Sequence, residues 1–221
     1  MGIGEIGLVI SKIGQQHIEY GTNCQDFGIE FDDLKIVCDG CSEGKHSEVG
    51  VKLFCYLMPI YYRTCDKNVE GAVKRCFEEI FTLISKASQD IRNYLCFTIL
   101  ICQQCDDRWK VYHCGDGYII EEKEDGKIRY TRLDDGEYPK YYAYNYVESS
   151  ALAHYQGGVS FTINEYDYPV GVASDGLRYV FTDRALEEKF TTLLLQRKES
   201  AIRRLINKHQ TVFKDDITVV L

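Results

Sequence analysis

Four aspartates in this sequence share one local grammar: each stands at the edge of an apolar, strand-like run, beside glycine or a second aspartate. They are Asp39 in Val37-Cys38-Asp39-Gly40, Asp116 in Cys114-Gly115-Asp116-Gly117, Asp175 in Ala173-Ser174-Asp175-Gly176, and Asp215 in Lys214-Asp215-Asp216-Ile217-Thr218. A carboxylate at the end of a buried strand has a fixed position, and a neighbouring glycine leaves room for a ligand or frees a backbone carbonyl to bind one. Several such carboxylates brought together repel one another. A hard divalent cation such as Mg2+ or Mn2+, which prefers oxygen ligands, relieves that repulsion. Asp-Gly is also an ordinary turn dipeptide, the reading that suits Asp125-Gly126 and Asp135-Gly136 between polar segments. The conjunction argues for chemistry, because three of the four follow an apolar strand directly and the fourth precedes one.

Bringing those positions together requires strands whose ends meet. Strand patterns run over 7–10, 27–31 and 34–38, the third stopping at Asp39-Gly40. Ser47 opens a helical pattern with Val49, Leu53 and Leu57 on one face, and Asn68 opens a second carried by Val69, Val73, Phe77, Ile80, Ile84 and Ile91. Strands over 95–102 and 109–114 are joined by a polar link, and strands over 118–121 and 127–133 flank Asp125-Gly126, so both pairs read as hairpins. Strands over 160–163 and 170–173 follow, then helices over 183–196 and 200–209, and a last strand over 217–221. Hairpin-joined strands with helices clustered in pairs predict an α+β protein of antiparallel sheets covered by helical layers, not a doubly wound parallel sheet.

The 221 residues are 45% hydrophobic and 27% charged, which suffices for a sizeable core; with only 3 prolines and no Ser/Gly/Pro-rich linker they read as one domain over 1–221. A formal charge of -8 repels phosphate backbones, which argues against nucleic acid as a main partner. The apolar runs are strand-sized and the start lacks a basic segment followed by a long apolar stretch. The expectation is therefore a cytoplasmic protein with no membrane partner. Met1-Gly2 does not make a myristoylation signal, because Ile6 stands where that motif wants Ser or Thr. Most of the 10 cysteines sit in apolar runs, as Cys38, Cys55, Cys76, Cys96 and Cys102 do, and read as small core hydrophobes. Cys38-x-x-Cys41 and Cys102-x-x-Cys105 are too far apart for a zinc ribbon. Gly2-Ile3-Gly4-Glu5-Ile6-Gly7 lacks the preceding strand a dinucleotide fingerprint needs, and no phosphate-binding Gly-Lys-Ser/Thr loop or nucleophile elbow is present.

The ordered set Asn23-Cys24-Gln25-Asp26, Asp39-Gly40, Gly115-Asp116-Gly117, Ser174-Asp175-Gly176-Leu177 and Asp215-Asp216-Ile217-Thr218 resembles the protein phosphatase 2C-like family of metal-dependent serine/threonine phosphatases. The likeness runs from about residue 7 to the C-terminus, and Gly14-Gln15-Gln16-His17 followed by Gly21 and Gln25-Asp26 is similar to a bacterial branch with Gln-Asp in place of Glu-Asp. The resemblance implies a four-layer α-β-β-α sandwich of two antiparallel sheets flanked by paired helices. It further implies that Asp39 bridges two Mg2+ or Mn2+ ions, that the Gly40 carbonyl binds one, that Asp175 and Asp215 hold the other, and that Asp26 orients water from the outer shell. Asp116 matches an aspartate that helps bind a third, looser ion. The implied reaction is in-line attack on a phosphoserine or phosphothreonine by a water bridging the ions, and the implied partners are a phosphoprotein substrate and a cognate serine/threonine kinase.

The sequence departs from that pattern at three places. Gly21 stands where the family carries a phosphate-gripping arginine, leaving His17, Lys12 and Lys45 as candidates to bind substrate. Cys41 occupies the place of a histidine proposed as leaving-group acid, with His46 nearby, and Tyr179 stands where relatives place a further aspartate. The stretch between Asp134 and Gln156, rich in tyrosine at 138–146, corresponds to a variable flap; its rings could face a substrate or close over the core. Two other readings stay open: a phosphatase-fold module that binds a phosphoprotein with little catalysis, and a different two-metal phosphoesterase, which would usually show histidine ligands among more than the 5 histidines here.

Overall fold

The computed structural model describes residues 7–133, 140–147 and 158–221. Its elements are β1 (Val9–Lys12), α1 (Gln15–Tyr20), β2 (Phe27–Phe31), β3 (Leu34–Gly40), α2 (Ser47–Thr64), α3 (Val69–Leu83), α4 (Ser88–Tyr94), β4 (Phe97–Cys105), β5 (Arg108–Cys114), β6 (Gly117–Glu122), β7 (Ile128–Leu133), β8 (Thr162–Tyr166), β9 (Val170–Ala173), α5 (Arg184–Leu195), α6 (Glu199–Lys208) and β10 (Ile217–Val220). Two five-stranded sheets form, in the orders β1-β10-β9-β6-β7 and β2-β3-β4-β5-β8, and every pairing is antiparallel. The expected hairpins β4–β5 and β6–β7 are both present.

The helices start where their sequences provide caps. The Asn68 side chain accepts from the Gly71 N–H at 2.7 Å, and Asp183 accepts from the Leu186 N–H at 2.8 Å. The helix expected from Asn68 through Ile91 is broken in two. Ile84 is extended, and the Ser85 hydroxyl accepts from the Ala87 N–H at 3.0 Å, a local serine bond that competes with helix continuation. Helix α1, absent from the expected elements, has six residues and ends at Gly21, whose φ of 68° is the left-handed cap that glycine takes without steric cost.

Strand alternation sorts side chains into layers. On β3, Leu34, Ile36 and Cys38 face α2 and α3, in a core with Phe54, Met58, Phe77 and Ile80. Val37 faces the other way and packs between the sheets with Leu100, Ile119, Val172 and Val220. The second sheet presents Ile10, Ile120, Ile217 and Val219 to Phe190, Leu194, Ile202 and Ile206 of α5 and α6. Three apolar layers separate four structural ones, giving the α-β-β-α sandwich. Each fully buried Leu, Ile or Phe contributes about 1.5–3 kcal/mol. Tyr142 and Tyr146 are core material: they lie 5.0 and 5.7 Å from Phe77 between ring centroids, and Tyr146 lies 4.8 Å from Phe81. Residues 134–139 and 148–156, Asp135-Gly136 and Tyr138 included, lie outside the described residues.

Candidate active site

The alternation that buries Val37 puts Asp39, two residues on, on the same inter-sheet face at the rim of the sandwich. The other motifs arrive at this end by register. Phe27 pairs with Cys38, which brings Asp26 beside Asp39; Tyr118 and Val219 both pair with Ala173, which brings the Asp116 turn and the segment before β10 to Ser174-Asp175. Four strand ends and the β5–β6 turn that crosses between the sheets therefore deliver five aspartates to one place.

Asp26 is buried at 3% exposure, with Asp39 and Ser174 close enough to its carboxyl to act on its ionisation. Its second oxygen, Oδ2, is buried with no hydrogen-bond partner. Burial first, and then the charge of Asp216, push the Asp26 carboxyl well above the usual carboxylate range. Burial followed by the charges of Asp26 and Asp175 does the same to Asp39. Asp175 is pushed up to about 6, chiefly by burial, with the Arg178 cation opposing and Asp116 and Asp215 adding repulsion. Three carboxyls that resist ionisation and one orphaned buried oxygen form a donor set short of positive charge, and hard divalent cations fit it. Among the described residues the set is not drawn into a compact three-ligand cage. Arg178 stands between two of its members, paired with Asp175 and 3.4 Å from Asp215 Oδ2.

Gly40 follows Asp39 on β3, opposite Phe97, and a Cβ there would come within 2.5 Å of Ser47 Oγ and 2.9 Å of the Gln25 carbonyl oxygen. Gly176 is tighter. Its added Cβ would lie 1.8 Å from the Asp216 carbonyl oxygen, backbone that cannot swing aside. Gly176→Ala is expected to cost about 3 kcal/mol or more, by forcing apart the turns that carry Asp175 and Asp215. Urea unfolding in the presence of a chelator measures it, and a loss under 1 kcal/mol would refute the packing argument.

Asp216, which the sequence reading passed over in favour of its neighbour, is 2% exposed and gathers two backbone donors and an ion pair. The Gly14 N–H lies 2.7 Å from Oδ1, the Gln25 N–H 2.6 Å from Oδ2, and His17 Nδ1 2.8 Å from Oδ2. The bond to Asp216 raises the His17 pKa against the opposing effect of burial. His17, a candidate for substrate binding, is thus buried and turned onto Asp216, with Nε2 3.9 Å from Asp215. Lys45 and His46 are exposed on the turn before α2, and Lys12 ends β1. Among the described residues neither lysine has an ion pair or hydrogen bond to the clustered carboxylates. The Cys41 N–H donates to the Cys96 carbonyl at 2.9 Å, behind the Asp39-Gly40 strand end. Arg178 is the other residue the sequence reading missed. Its signal was local: an arginine three residues after Asp175, the spacing that meets on one side of a helical turn.

Comparison of folds finds the same architecture in bacterial serine/threonine phosphatases. PstP/Ppp of Mycobacterium tuberculosis is 16% identical, with 97% of each chain covered and a TM-score of 0.62. The catalytic domain of PstP, solved with 2 manganese ions, is 17% identical over 97% of this chain and 96% of that one, at a TM-score of 0.62. The phosphatase MsPP of Mycobacterium smegmatis is 16% identical, with 98% and 97% covered and a TM-score of 0.64. Comparison with curated proteins finds no match to the sequence. The sequence profile described as Protein phosphatase 2C matches residues 13–209, most of the chain. The chain belongs to the protein phosphatase 2C family.

Proposed function

We propose that the protein is a Mg2+- or Mn2+-dependent phosphatase of phosphoserine and phosphothreonine in proteins. The observation that carries the reading is the convergence of Asp26, Asp39, Asp175 and Asp215 at one rim of the sandwich, with Asp26 Oδ2 buried and unpartnered. Family membership supplies the reaction class, and the manganese ions in a relative of the same fold support the choice of metal. Asp39 and the Gly40 carbonyl would hold one ion, with Asp39 shared by a second that Asp175 and Asp215 complete; Asp116, close enough to raise the Asp175 pKa, would border a looser third. Such cations, when bound, lower the pKa of the water they hold and neutralise phosphoryl charge. The chain's part is positional. The β3 rim fixes Asp39 against Thr98, whose hydroxyl accepts from the Asp39 N–H at 3.2 Å, and Asp26, buried with Oδ2 unpartnered, would orient a water. Asp216, fixed by His17 and two backbone N–H groups, holds Asp215 in place.

The whole chain is read as one phosphatase domain, with a phosphoprotein as substrate and the opposing kinase as a cellular partner. Its site of action is read as the cytoplasm; no helix among the described residues is long and apolar enough to cross a membrane. The test is hydrolysis of a phosphothreonine peptide and of an aryl phosphate with Mn2+, with and without chelator. Turnover that survives chelation would refute metal-dependent hydrolysis. Metal binding without turnover of any phosphopeptide would favour a binding module of the same fold.

A further inference from the structure

The guanidinium of Arg178 lies at the mouth of the acidic cluster with 43% of its side chain exposed. One nitrogen, Nη1, pairs with Asp175, and Nη2 lies 3.4 Å from Asp215 Oδ2. The short 3-10 turn Asp175–Thr182 sets this up, since residues three apart eclipse in such a turn. Tyr179 steadies the group, its ring centroid 4.9 Å from the guanidinium carbon and its hydroxyl accepting from Nη2 at 3.1 Å. The fork therefore rests on the two carboxylates assigned above to a cation, and both cannot be used at once. A divalent ion carries twice the charge and binds carboxylate oxygens directly, so it displaces a half-exposed ion pair of modest strength. The displaced guanidinium stays tethered beside the ions, where a phosphoryl group must lie to be attacked. Its donors match phosphate oxygens two at a time.

The other candidates fit this role less well. His17 is committed to Asp216, Lys12 and Lys45 make no ion pair or hydrogen bond to the clustered carboxylates among the described residues, and Gly21 has no side chain to offer.

We propose that Arg178 is the phosphate-gripping residue of this site, held in reserve on Asp175 and Asp215 until divalent cations take those carboxylates. The inference rests on the metal-dependent reading of the cluster. Two variants test it, Arg178→Gln and Arg178→Lys, compared with the native chain. Isothermal titration with Mn2+ alone is expected to show severalfold tighter binding by Arg178→Gln, which no longer carries an internal competitor. At saturating Mn2+, inorganic phosphate is expected to bind Arg178→Gln roughly 10- to 100-fold more weakly, the size of one lost charge-assisted contact, with Arg178→Lys between the two. KM for a phosphopeptide should follow the phosphate affinity while kcat changes less. Unchanged phosphate affinity in Arg178→Gln at saturating Mn2+ would overturn the proposal. A native protein that binds Mn2+ and phosphate but turns over no phosphopeptide would refute phosphatase activity, and the phosphate titration would still decide the role of Arg178.

Discussion

Asp39→Asn is expected to reduce Mn2+-dependent hydrolysis of a phosphopeptide by about a thousandfold or more while leaving the metal-free protein folded. The substitution keeps the shape of the side chain and removes the one carboxylate that both proposed ions share. A loss of about 4 kcal/mol of transition-state stabilisation corresponds to that factor. Stability should move the other way. In the metal-free protein Asp39 faces Asp26 and Asp175, and its carboxyl is held well above its ordinary pKa, so ionising it opposes folding. The sign follows from proton binding. Between the unfolded and folded pKa values the unfolded chain holds fewer protons, so stability falls as pH rises through that window. With Asp175 at about 6 in the folded state and 3.8 as the ordinary value, the fall should begin near pH 4 and continue past 6. Asp39→Asn removes part of that loss, and in chelator its Tm should equal or exceed that of the native chain at pH 7.5, with the difference closing toward pH 4. Full activity in this variant would sink the assignment of Asp39. A variant unfolded at neutral pH would sink the electrostatic account.

Asp216→Ala is expected to cost about 3–5 kcal/mol of stability, the largest effect of any single polar substitution at the site. The carboxylate is buried, and its removal strands the Gly14 and Gln25 N–H groups and leaves His17 without its partner. Removing one side of a buried charged pair leaves uncompensated groups rather than a neutral gap, and each orphaned donor costs about 1–3 kcal/mol. The same bonds tie the loop before β10 to the start of α1 and to the strand entry at Gln25, so Asp215 should lose its fixed place as well. Mn2+ affinity is expected to fall with stability. Asp216→Asn, which keeps one acceptor oxygen, should lie between. Urea unfolding in chelator gives the first quantity and calorimetric Mn2+ titration the second. A change below 1 kcal/mol would show that these groups find other partners.

Much of this architecture is written in local pattern. Strand-sized apolar runs over 27–31, 34–38 and 95–102, the hairpin signals, and the caps Asn68 and Asp183 place the elements within a few residues of where they stand. The break after Ile84 escaped because one serine bond outweighs a continuing apolar period. Helix α1 escaped because a six-residue helix held by the bonds of its first N–H groups to Phe213 and Lys214 carries no periodicity of its own.

For the site, the candidate carriers were legible in sequence: aspartates at strand ends, next to glycine, in an order that resembles one phosphatase family. A strand end is visible in sequence, because apolar alternation stops there. Which charged groups meet across 40 to 200 residues is not, because it depends on sheet register and on the packing of the two sheets. Tertiary structure alone decided that Asp216 is the buried anchor and Asp215 its half-buried neighbour, two adjacent residues of the same type on the loop that enters β10. It also decided that His17 turns inward, and that Arg178 rather than a lysine stands over the carboxylates. The physical reason is that electrostatic roles are set by distance and burial, and both are properties of the folded chain.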